Sequence, residues 1–380
     1  MKILFCIPTL GEGGAERQLS YLGAQLSRMG HDVHVASSRG GSNLQRLRSN
    51  GVEWHRLGGI SNRDPLIFFR LVALLRRLRP DIVQTILTPM DLMAGMAALL
   101  IRTPWILKES SSALLYGSDL RHRCRSLLGL RADGIVCNSA GGSTYWHSLG
   151  ATRVLGNIRN GLPLDEIGEV AGDSATDLIS QANAKVLVYA GRLDKGKNVD
   201  NLIIALSRLA DQLSFVAFIC GDGPRRRHLK SLAKKLGIAD RLIFTGYISN
   251  LWALMKRADA VISLSRFEGC PNVVMEAMVC GAPLVVSDIH AHREIVDNSC
   301  ALFVDAEDPE DAARMITEVL QNTNATSARV RAASARASAW TVTATAHQYE
   351  RMYLRVLSGA AHLSGVSIGT NAECAHENET

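Results

Sequence analysis

Short apolar runs alternate with helix-period segments along most of this chain, a pattern that gives a parallel sheet covered on both faces. In the first half the expected strands are residues 2–7, 31–37, 52–57, 81–86, 105–108 and 134–137, with helices over 16–29, 65–78 and 91–101. The alternation then restarts at 186–190, 215–220, 242–245, 260–264, 284–286 and 302–304. The fold class is therefore α/β, two Rossmann-like doubly wound domains in tandem, which suits 380 residues. The boundary is expected within residues 160–184, where Asn160-Gly161-Leu162-Pro163 reads as a turn and residues 172–177 are small and polar. This gives an N-terminal domain over 1–162, a C-terminal domain over 163–339 and a last helix over 340–357. Residues 358–380 lose apolar periodicity and read as a disordered tail.

The hydrophobic share of 47% and the charged share of 21% exclude a disordered or fibrous chain. The longest apolar run, residues 92–101, is bounded by Asp91 and Arg102 and is far short of the roughly 20 residues that span a bilayer. The opening Met1-Lys2-Ile3-Leu4-Phe5-Cys6-Ile7-Pro8 is too short for a secretory signal, so a cytoplasmic protein is expected. Eight cysteines form no Cys-x-x-Cys and read as reduced and structural. No His, Cys and carboxylate group has zinc-ligand spacing, so no metal site is expected.

Three loops carry residues suited to an anionic ligand. Gly11-Glu12-Gly13-Gly14-Ala15-Glu16-Arg17 follows the first strand and opens a helix, where unpaired amides face outward. Glu16 occupies the third glycine position of a dinucleotide fingerprint, and no acid ends the second strand, so a tight structural turn is the alternative reading there. Gly191-Arg192-Leu193-Asp194-Lys195-Gly196-Lys197-Asn198 puts Arg192 and Lys197 at the carboxyl edge of the second sheet. A guanidinium and an ammonium at that edge suit a diphosphate; a solvated charged loop is the alternative. Residues 265–276 place Glu268 and Glu276 on either side of a strand-to-helix junction, with the amides of Asn272, Val273 and Val274 available to a phosphate. Ionised carboxylates there can accept from sugar and ribose hydroxyls, or serve only as surface and helix-end charges. Gly221-Asp222-Gly223-Pro224 reads as a structural turn, and Gly246 and Tyr247 as backbone groups that can face a base.

These motifs, with Asn160-Gly161, occur in the order and approximate spacing of a known family. Together they resemble family-4 retaining glycosyltransferases of the GT-B fold, over roughly residues 1–357. The resemblance implies a nucleotide-sugar donor, of UDP or GDP type, held mostly on the second domain, with the acceptor entering over the first. Arg192 and Lys197 then match the pair that neutralises the departing diphosphate. Glu268 matches the carboxylate beside the donor sugar, Glu276 the one on the ribose diol and Gly14 a first-domain contact to phosphate. It also implies that the last helix crosses back onto the first domain. Transfer with retention and without a metal or cofactor is expected, in keeping with the lack of an Asp-x-Asp sequence. Where many relatives place a His after the strand at 105–108, this chain has Lys108-Glu109-Ser110, so Glu109 either orients the acceptor or caps the next segment. A nucleotide-sugar epimerase and a non-catalytic nucleotide-sugar binder are the alternative functions.

Residues 1–162 carry 20 Lys and Arg against 10 Asp and Glu. Basic segments at 65–79 and 121–131 are either lipid-facing, on an anionic membrane surface, or ordinary sheet-covering helices. A glycan or polyprenyl-diphosphate-linked acceptor in surface glycan assembly fits the first of these. An aromatic share of 5% offers no stacking platform for nucleic acid.

Overall fold

The computed structural model describes residues 1–59, 64–110, 119–172, 184–249 and 251–359. Two parallel sheets form. The first contains β1 (Lys2–Cys6), β2 (Asp32–Ser37), β3 (Glu53–Arg56), β4 (Ile82–Ile86), β5 (Trp105–Glu109), β6 (Gly134–Cys137) and β7 (Val154–Asn157), in the order β3-β2-β1-β4-β5-β6-β7. The second contains β8 (Lys185–Ala190), β9 (Phe215–Cys220), β10 (Leu242–Gly246), β11 (Ala260–Ser263), β12 (Leu284–Ser287) and β13 (Leu302–Val304), in the order β10-β9-β8-β11-β12-β13. Strand β7 was not expected: Val-Leu-Gly-Asn is too short an apolar run, and its pairing to β6 shifts register where Gly156 takes φ 121°.

The central strands are apolar on both faces because helices cover both. On one side of the first sheet, Ile3, Phe5 and Val35 meet Leu19, Leu22 and Leu26 of the helix Gly14–Arg28. On the other, Leu4 and Val83 pack with Leu71 and Leu75 of the helix Leu66–Leu78 and with Ala94 of the helix Thr88–Ile101. The last helix, Val342–Leu357, also joins the first sheet: Tyr349 and Tyr353 are buried with Ile3 and Ile106, and the Tyr353 hydroxyl donates to Gln84 at 2.7 Å. The chain thus passes between the sheets twice. Both passages touch at one point, where the Leu162 amide donates to the Trp340 carbonyl at 2.8 Å and the Val342 amide to the Leu162 carbonyl at 3.1 Å. The expected tail lies outside the described residues from 360 onward.

The strand order reverses beside β1 in one sheet and beside β8 in the other. Open parallel sheets bind ligands at the carboxyl ends of strands beside such a reversal. The loops after β1, β4, β8 and β11 are those positions.

Candidate active site

Those loops line a cleft of about 1180 Å³ between the two sheets. From the first domain come Gly13, Gly14, Arg17, Leu87 and Lys108; from the second come Arg192, Lys197, Glu268 and the segment Cys270–Val274.

Two helix N-termini meet across the cleft. Gly13 caps the helix Gly14–Arg28 with no side-chain hydrogen bond, which leaves its first amides open. Opposite stands the helix Asn272–Val279, also without a side-chain cap. A Cβ on Gly14 would lie 3.1 Å from Asn272 Nδ2, so a larger residue would crowd the gap. Asn272 is not the free donor expected: its backbone N–H donates to the Cys270 carbonyl at 2.9 Å. Val273 and Val274 keep the open amides. Two facing helix N-termini concentrate positive potential between them.

The 3-10 turn Lys195–Lys197 is capped by Asp194, whose Oδ1 accepts from the Gly196 and Lys197 amides at 3.0 and 3.2 Å. Gly196 is required here, because a Cβ would come within 2.6 Å of the Phe267 ring. The turn aims Lys197 at Glu268, and the two form an ion pair; Glu268 Oε1 also accepts from Ser265 Oγ at 2.7 Å. Arg192 stands on the same wall with its side chain 73% exposed and, among the described residues, a single ion-pair partner, Asp194 at 3.7 Å, so it is free to swing toward an anion.

Glu276 lies beneath the lining, 2% exposed, where it pairs with Arg17 of the opposite domain and accepts from Trp252 Nε1 at 2.8 Å. Asn160 Nδ2 donates to Asn272 Oδ1 at 2.9 Å, a second bridge over the cleft. Tyr247 lines the cleft and is half exposed. Gly246 does not line it. Its carbonyl is taken by the Gly221 amide at 2.7 Å and by Thr245 Oγ1 at 2.8 Å, so the expectation that it faces a base gives way to a structural role.

Of the two readings open for Glu109, the acceptor-side one is not met. It is 1% exposed and does not line the cleft. Its Oε2 accepts from Arg125 Nη1 at 2.8 Å and Trp146 Nε1 at 3.0 Å, while Arg125 Nε donates to buried Asp91 at 2.6 Å. Alternation along β5 is the reason: Glu109 points to the helix-packed side, and its neighbours Lys108 and Ser110 reach the cleft. Burial lowers the Lys108 ammonium from its ordinary range to about 8.

Lys108, Arg17, Asn160 and Trp252 are site residues that motif reading did not assign. Arg17 and Asn160 stand inside quoted motifs. Lys108 had a signal of its own, a lysine directly after the apolar run Trp105-Ile106-Leu107. Away from the cleft lining, β2 and β3 bring His34, Glu53 and His55 to one face, with ligand atoms all within 4.8 Å of one another. This grouping was not visible in linear spacing; His34 Nδ1 and His55 Nε2 stand 3.0 Å apart.

Two family descriptions match the chain. Glycosyl transferases group 1 matches residues 175–336, and the glycosyl transferase 4-like domain matches residues 13–155. The chain belongs to the GT-B, family-4 type glycosyltransferases. This glycosyltransferase is 26% identical over 336 residues to a Campylobacter jejuni enzyme, covering 85% of this chain and 90% of that one. The relative is named as an α-1,4-N-acetyl-D-galactosaminyltransferase for a diNAcBac-PP-undecaprenol-linked glycan. The lipopolysaccharide core biosynthesis glycosyltransferase LpsE of Rhizobium meliloti is 29% identical over 189 residues, 50% of this chain and 54% of that one. In structure, Anabaena HepE in complex with UDP-glucose superposes with a TM-score of 0.82 at 22% identity, over 94% of this chain and 100% of that one. That likeness concerns the fold. The protein is a glycosyltransferase of glycan biosynthesis, and neither the epimerase nor the non-catalytic reading is favoured by these relatives.

Proposed function

We propose that this glycosyltransferase moves a sugar from a UDP-type donor to a polyprenyl-diphosphate-linked glycan, with retention at the anomeric carbon and without a metal. The arrangement of Gly14 against Asn272, with Lys197 and Arg192 on the adjoining wall, carries the reading. A diphosphate fits between two helix N-termini and two cations, and leaving-group charge is the main barrier to glycosyl transfer. In the proposed step the anomeric C–O bond to the diphosphate breaks as the acceptor oxygen bonds to the same face. The acceptor proton passes to the departing phosphate oxygen, so no separate base is needed. Lys197, oriented by Glu268, meets the growing negative charge, while Glu268 faces the sugar hydroxyls. Glu276 would take the ribose diol once Arg17 turns from it toward the phosphates. The choice of UDP is supported by the complexes of Anabaena HepE, and that of a lipid-linked acceptor by the Campylobacter relative.

Incubation with radiolabelled UDP- and GDP-sugars and undecaprenyl-diphosphate glycans tests this. Labelled lipid with an α linkage, undiminished by EDTA, is expected; a β product or turnover restored only by divalent cation would overturn the retaining or metal-free reading.

We also place the enzyme on the cytoplasmic face of an anionic membrane. Among the described residues no helix is long and apolar enough to cross a bilayer. Three neighbouring helices of the first domain nevertheless expose large apolar side chains. These are Leu66 and Phe69, Met96 and Leu100, and Leu120 and Leu127 of the helix Leu120–Gly129. Arg70, Arg121 and Arg123 are exposed on two of them. Arg125, counted in that basic segment from the sequence, is buried and belongs to the interior instead. Apolar side chains beside arginines suit an anionic lipid surface, with about 1 kcal/mol for each basic residue at it. Sedimentation with vesicles should show binding to phosphatidylglycerol but not to phosphatidylcholine. The Phe69→Ser, Leu127→Ser double variant should bind several-fold more weakly while turning over water-soluble acceptor analogues normally.

A further inference from the structure

Lys108 is the exception in the cleft. It is 5% exposed, yet it lines the cavity. Its nitrogen has Asn160 Oδ1 at 3.5 Å and the face of the Tyr349 ring at 5.4 Å, and no carboxylate among the described residues pairs with it. The adjacent Glu109 is turned away and held by Arg125 and Trp146. Two titratable groups that face it, Cys270 and Tyr349, are neutral. Burial pushes the Cys270 thiol up to about 11, and the Tyr349 hydroxyl is raised well above its ordinary range by the same cause. An amide oxygen and an aromatic face favour a cation but do not neutralise it. A buried charge without a counter-ion is costly, and such groups recur at functional sites.

We propose that Lys108 selects an acidic sugar, receiving the carboxylate of a hexuronate that occupies the cleft floor. The inference rests on the reading of the cleft as a nucleotide-sugar site and names its substrate class. The diphosphate already has Arg192, Lys197 and two helix N-termini. Lys108 lies one amide side chain beyond them, since Asn160 joins it to Asn272. It also adjoins Cys270, two residues along the loop from Glu268, which faces the sugar. The uronate belongs either to the donor or to the acceptor's terminal residue, and the test separates the two.

Calorimetry on the full chain would compare UDP, UDP-glucose, UDP-glucuronate and UDP-galacturonate. A second arm would compare glucuronate-terminated with glucose-terminated acceptors in the presence of UDP. A preference of about tenfold or more for the acidic partner is expected in one arm. Lys108→Met should abolish it, Lys108→Arg should retain it, and it should fade between pH 7 and pH 9 as the ammonium is lost. The unliganded Lys108→Met protein should melt no lower than wild type, which separates lost recognition from misfolding. Equal binding of acidic and neutral partners in both arms overturns the proposal. So does Lys108→Met weakening UDP as much as a UDP-uronate, because the lysine would then serve the diphosphate. Absence of any UDP binding would overturn the underlying reading of the cleft instead.

Discussion

Lys197→Ala should lower kcat with a saturating donor by about 10²- to 10³-fold, the cost of removing a preorganised charge aimed at a developing anion, about 2.7–4 kcal/mol. KM for the donor should change far less, because Arg192 and the amides of Val273 and Val274 still hold the ground-state diphosphate. Lys197→Arg should recover little: the nitrogen is placed by a capped three-residue turn and directed onto Glu268, and a longer planar group does not fit the same geometry. A steady-state split between kcat and KM, with circular dichroism as the folding control, is the measurement. An equal rise in KM with unchanged kcat would assign Lys197 to simple binding.

Arg125→Met should be the most destabilising single change in the first domain. Arg125 is 2% exposed and bridges Asp91 and Glu109, both buried. Removing it leaves two carboxylates in the interior without their cation, and breaking a buried pair in this way costs about 3–5 kcal/mol. Thr85 Oγ1 and Trp146 Nε1 still donate to the two acids, at 2.7 and 3.0 Å, and moderate the loss without replacing the charge. Urea unfolding followed by tryptophan fluorescence should show the loss, since Trp105 and Trp146 are both buried beside the network. Arg121→Met, four residues earlier and exposed on the same helix, should change stability by less than about 0.5 kcal/mol.

Most of the architecture could be read from residue order because a parallel sheet covered on both faces needs apolar central strands, and twelve short strand-like runs, most of them apolar, are present in the chain. The thirteenth, β7, escaped because an edge strand with a glycine bend is specified by its neighbour β6 and not by its own composition. That Arg192, Lys197 and Glu268 line one cleft was legible for a related reason: each sits next to a glycine or a helix start that marks the end of a strand. The role of Glu109 stayed open and Lys108 unassigned because linear sequence does not say which of two successive residues faces the cavity. That is decided by the pleat of β5 and by Arg125, sixteen residues away. Asn272 was misjudged because the bend to Cys270 consumes its amide, a local closure that composition does not reveal.

The return of Val342–Leu357 to the first sheet bears on how the protein is made. Tyr349 and Tyr353 emerge from the ribosome long after the strands they cover, so during synthesis the N-terminal layer waits with one apolar face bare while the whole second domain forms. A ribosome stalled or a chain cut after residue 339 would release a protein complete in its cations and carboxylates yet open along that face, a natural target for chaperones and proteases.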